Sequence, residues 1–141
     1  MPSFNFTPES LFAGAVASFL VLLILVVVIL KFKGRIKPKK FRKEWRRMQN
    51  LLSRQENWQR ALIEADDLLD IALKKNKKVK GSNMGARMLS AEKIFTKKDE
   101  VWYGHKLRRA CEKNPKLKLD KKAVRRALIG IRQGLKDLGA V

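Results

Sequence analysis

The chain opens on one long apolar block and then changes rhythm. Residues 11–30, LFAGAVASFLVLLILVVVIL, are twenty positions without a charge, fifteen of them Leu, Ile, Val or Phe. No polar face recurs at helical spacing, so a helix here is apolar on every side, as a membrane span is. At about 1.5 Å per residue it reaches roughly 30 Å, the thickness of a bilayer's hydrocarbon core. Thr7, Pro8 and Glu9 suit its start as cap, first helical residue and partner for the positive helix end. From residue 40 the pattern becomes amphipathic. Phe41, Trp45, Met48 and Leu52 make one stripe, and Trp58, Leu62, Ala65, Leu69 and Ala72 make a second, with a break near Ser53 or Asn57. Lysines and Gly81 close the second helix. A short helix is expected around Met84 to Ile94. Thr96 is expected to cap the next, with Asp99 at its third position, over roughly 97–113, until Asn114-Pro115 stops it. Asp120 caps the last, whose stripe is Val124, Leu128, Ile131, Leu135 and Leu138, and Gly139 ends it. No alternating strand pattern appears. The expected fold is all-α: one N-terminal transmembrane helix, then a small cytoplasmic bundle of four to five helices. Trp58, Trp102, Leu62, Leu69, Leu128 and Leu135 are its expected core anchors.

Charge orients this plan. The chain carries 33 Lys and Arg against 13 Asp and Glu, and all 33 bases lie after position 30. Lys31, Lys33, Arg35, Lys37, Lys39, Lys40, Arg42 and Lys43 crowd the downstream end of the apolar run, followed by Arg46 and Arg47. By the positive-inside rule the short tail, 1–10, crosses, and everything after the 11–30 span stays in the cytoplasm of a cell whose inner membrane holds it. A cleaved secretory signal fits poorly, because residues 1–10 hold no base and the apolar run is too long. Gly34 and Pro38 mark 31–47 as a basic juxtamembrane segment, and 48–141 as the bundle. These bases meet an anionic inner leaflet, each adding up to about 1 kcal/mol. A part so basic calls for an anionic partner: lipid, RNA, a ribosomal surface or an acidic protein face. Gly14, Ala15, Ala17 and Ser18 form a small-residue patch through which two spans could pair.

Candidate chemistry is sparse. Cys111 is the one cysteine and His105 the one histidine. An intrachain disulfide, a zinc centre and a histidine pair are thereby excluded within one chain, and no cofactor is expected. His105 and Arg108 are three apart and share a helix face, while Asp66 and Asp70 are four apart beside the Leu62/Leu69 stripe. One of the two carboxylates is expected to meet His105 or Arg108 across the bundle and fix helix register.

In order, the runs ALIEADDLLDIAL, MGARMLS, DEVWYGHKLRR and a terminal LKDLG resemble a group of small bacterial membrane-anchored helical proteins. Their cytoplasmic part is similar to HEPN domains, and the resemblance covers about residues 55–138. It implies a helical bundle that dimerises, and an RNA-cutting class that works without metal through an Arg followed four to six residues on by a His. Arg108 takes the Arg position, but Lys113, Asn114 and Pro115 stand where the His belongs. A lysine of ordinary pKa is protonated at neutral pH and makes a poor general base. The expected function is therefore a membrane-tethered, non-enzymatic interaction module for an anionic or protein partner. Two alternatives stand beside it. One is a membrane-anchored RNase or toxin with a degenerate site built on His105 and Arg108. The other is a structural or assembly subunit of an envelope complex.

Overall fold

The computed structural model describes residues 8–33 and 35–141, and the chain divides into two compact units at Arg35/Ile36. The first is a single helix, α1 (Pro8–Lys33). Thr7 and Gly34 lie outside the described residues. Leu11–Ile29 is long and apolar enough to cross a membrane, and every side chain along 11–29 is exposed. Its one hydroxyl is satisfied within the helix, since Ser18 Oγ donates to the Gly14 carbonyl at 2.9 Å. A polar group bonded this way costs little in a medium without water.

The second unit is a bundle of five α-helices: α2 (Pro38–Leu51), α3 (Trp58–Lys75), α4 (Met84–Ser90), α5 (Lys98–Lys113) and α6 (Lys121–Asp137), with a 3₁₀ turn at Gln55–Asn57. No strand occurs among the described residues. The bundle begins earlier than composition suggests. Pro38 is the first residue of α2, and Phe41, Trp45 and Met48 bury its apolar stripe. The basic segment 31–47 is therefore not one linker: its second half is a bundle helix whose lysines and arginines form the solvated face.

α3 is the central helix, touching α2, α4, α5 and α6. Leu62, Leu69 and Leu135 are fully buried and Leu128 nearly so. Trp58 and Trp102 stand at the edge of this core, half-buried, and each indole N–H is bonded, to the Leu52 carbonyl and to Glu92, both at 3.1 Å. The deeply buried tryptophan is Trp45. α5 and α6 approach most closely because small residues face each other. A Cβ on Gly104 would stand 2.7 Å from Ile131 Cγ1, and one on Gly130 would overlap the Glu100 carbonyl oxygen.

Both ends of α6 follow local chemistry, and the start of α5 does not. The Asp120 carboxylate accepts from the Lys122 and Ala123 amides at 3.1 and 3.4 Å. At the other end of α6, Gly139 takes φ +71°, and the Gly139 and Ala140 amides return to the Lys136 and Leu135 carbonyls, both at 2.8 Å. That is a Schellman closure. Thr96 does not cap α5. Lys97 holds the cap position without a side-chain bond, while Thr96 donates its amide and its hydroxyl to Asp137 at 2.8 and 3.0 Å. The threonine fastens the α4–α5 turn to the end of α6 instead.

Candidate functional site

Asp66 stands four residues after Leu62 and three before Leu69, which puts it on the buried stripe of α3 rather than beside it. It is 2% exposed. Opposite it, α5 presents His105, also buried, with Nδ1 2.9 Å from Asp66 Oδ2. Arg108, one turn on, brings Nε to 3.6 Å from the same oxygen. Its other nitrogens donate to Glu112 at 2.7 Å and Asp67 at 3.2 Å. Burial pushes the Asp67 carboxyl above its ordinary value against the pull of Arg108, and the charge of Asp66 adds to the rise. Trp102 closes the cluster, edge-on to the imidazole at 6.0 Å.

Asp70 does not join this cluster. It faces α4, where Arg87 Nε and Nη2 donate to its Oδ1 at 2.8 and 2.6 Å, and Lys74 pairs its Oδ2 at 2.7 Å. Burial alone would raise the Asp70 carboxyl; hydrogen bonds and charge from Lys74 and Arg87 outweigh it and hold the group below its ordinary value. Arg87 also donates to the Gly81 carbonyl at 3.1 Å. Sequence reasoning missed this arginine. Its signal was a cation three residues after Met84 in a short apolar helix, beside an acidic helix earlier in the chain.

The Asp66–His105 pair fixes one imidazole nitrogen against a carboxylate and leaves Nε2 as the other, and Arg108 supplies a fixed positive charge beside it. An oriented imidazole with a cation is half of a proton-transfer site. Four grooves on the bundle surface are lined by residues other than Asp66, His105 and Arg108. The arrangement instead ties α3 to α5. Two polar acceptor and donor atoms in it, Asp66 Oδ1 and Arg108 Nε, have no hydrogen-bond partner among the described residues.

The bases divide differently. The side chains of Lys31 and Lys33 lie outside the described residues; Arg35 and Lys37 precede α2 and are exposed; Lys39, Lys40, Arg42 and Lys43 are exposed on α2. On α6, Arg126 is engaged, donating to both Glu100 oxygens at 2.8 and 2.9 Å and lying 4.1 Å over the Tyr103 ring. Lys121, Arg125 and Arg132 rim a groove of about 270 Å³ between α2 and α6, floored by Trp45, Leu52, Trp58, Val124 and Leu128. The groove between α2 and α3, about 410 Å³, is lined by Lys40, Arg47 and Lys75 together with Glu44, Glu64 and Asp67.

No protein-family model, no curated protein and no solved structure matches the chain.

Proposed function

We propose that the protein is a single-span inner-membrane protein whose basic helical bundle lies in the cytoplasm and binds an anionic partner, without catalysing a reaction. The observation that supports it most is the set of exposed arginines and lysines on α2 and α6, Arg42, Arg46, Lys121, Arg125 and Arg132 among them, that have no carboxylate partner among the described residues, in a chain of formal charge +20. Exposed cations held on a packed scaffold raise the local concentration of anions and speed their capture. The reading takes the bundle as HEPN-like, with the cutting histidine of that class replaced by Lys113. The full chain in nanodiscs of neutral lipid, titrated with a labelled RNA oligomer and with polyglutamate, tests it. Binding at low salt should weaken by about tenfold or more as salt rises to physiological strength. Absence of binding to both probes at low salt contradicts the reading.

The Asp66–His105–Arg108 cluster supports a second reading, a membrane-anchored RNA-cleaving enzyme with a rearranged site. In the same preparation RNA would then be cut, and His105→Ala and Arg108→Ala would each abolish cutting. Equal cutting by all three chains ends this reading.

A further inference from the structure

The groove between α2 and α6 differs from the rest of the bundle surface. Its floor is apolar, and its α6 rim is basic, while its α2 side presents Gln49. Along α6 the positions Lys121, Arg125, Ile129 and Arg132 fall at steps of four, four and three, so they form one stripe about 16 Å long. Ile129 in its middle is 55% exposed. Past Arg132 the groove continues into a second hollow of about 240 Å³, where Arg42 and Arg46 of α2 stand beside Trp45 and Gln49. None of these five cations has a carboxylate partner among the described residues, whereas Arg47 and Arg126 nearby are both paired. Trp45 lines both hollows, and its buried indole N–H has no acceptor among the described residues.

An apolar trough with unpaired cations along its α6 rim, and two more from α2, Arg42 and Arg46, in the hollow that continues it, is complementary to a helix with an apolar stripe flanked by carboxylates. Nucleic acid does not need such a floor. Its charge is carried along a continuous backbone, and stacking of bases requires an open aromatic face, whereas Trp45 is buried and Trp58 is half-buried with its indole N–H tied to the Leu52 carbonyl. A bilayer surface is flat and touches convex faces rather than a trough. A single lipid would have to leave the bilayer, at about 0.8 kcal/mol per methylene withdrawn, for a groove that covers part of one chain. We infer that the α2/α6 groove docks an acidic amphipathic helix of a partner protein, its apolar residues on Ile129 and the half-buried Trp58 and its Asp or Glu side chains on Arg125, Arg132, Arg42 and Arg46. The inference rests on the anionic-partner reading above and names that partner's chemistry.

Three fluorescent peptides of equal length test it on the full chain in dodecyl maltoside micelles. The first carries a leucine stripe with glutamates on both flanks. The second has the same composition in an order that destroys the stripe. The third has the stripe with lysines in place of the glutamates. The first should bind saturably, about tenfold or more tighter than the others. Arg125→Glu with Arg132→Glu should weaken the first peptide by about tenfold or more and strengthen the lysine peptide. Ile129→Ala should weaken the first several-fold. Lys98→Glu with Lys106→Glu, the same charge change on exposed positions of α5, should leave it unaltered. All these positions are exposed, and circular dichroism verifies that the helices persist. Equal affinity for striped and scrambled peptides, or equal loss in the α5 control, overturns the docking groove. If polyglutamate still binds in a salt-dependent way in that case, the anionic-partner reading stands without it; if no anionic probe binds, both fall. Displacement of the peptide by short-chain phosphatidylglycerol, with tighter binding than the peptide itself, would also overturn it by making the groove a lipid site.

Discussion

Asp66 occupies a position on α3 where its neighbours at Leu62 and Leu69 would lead one to place a leucine. A buried carboxylate there is tolerated because His105 and Arg108 both converge on Oδ2, at 2.9 and 3.6 Å. Removing one member strands the others, and the cost of an unsatisfied buried polar group is about 1–3 kcal/mol. Asp66→Asn and His105→Leu should each lower stability by that order in urea titrations. The double variant should cost less than the two added together, because the second change removes what the first left unpaired. Strict additivity would show that the pair does not act as a unit. The residue scale is also where sequence reading reached furthest and then stopped. The three-residue spacing of His105 and Arg108 placed them on one face, and a carboxylate of α3 does reach them. Which carboxylate depended on helix rotation. The four-residue step from Asp66 to Asp70 is larger than a turn of helix by enough to swing Asp70 toward α4, so the two acids serve different helices.

At the scale of elements, stripes and terminators carried most of the information. The apolar stripes of α2, α3 and α6, the Asp120 cap and the closure at Gly139 depend on residues close together in the chain, and those are legible. The Thr96–Asp137 bond joins positions 41 apart, and the α2/α6 groove joins the two ends of the bundle. Such contacts arise from tertiary packing and leave at most a faint local trace. The α3–α4 tie is of this kind and has a pH signature. Asp70 titrates below its ordinary value, 3.8, in the folded chain. Its contribution to stability is therefore complete above the unfolded value and is lost as pH falls through the lower folded value. Urea midpoints of the native chain should fall below about pH 4 more steeply than those of Asp70→Asn. Parallel curves would show that Arg87 and Lys74 do not hold this carboxylate in its charged form.

At the scale of the molecule, the sequence is divided in chemistry as well as in space. One unit is a helix with an apolar stretch, Leu11–Ile29, able to cross a membrane. The other, Ile36–Val141, packs a core around α3 and displays the cations. The proposed anionic partner and the proposed docking helix both require that the basic unit face the cytoplasm. Cysteine labelling in intact cells addresses this directly. Cys111 need not be removed, since it is 2% exposed and burial pushes its thiol above the ordinary value, which makes it unreactive. Ser3→Cys and Lys118→Cys, introduced one at a time, place a thiol on either side of the span. The account predicts that a membrane-impermeant maleimide labels position 3 in intact cells and position 118 only after the membrane is opened. Labelling of position 118 from outside intact cells, or recovery of the chain in the soluble fraction, would contradict it.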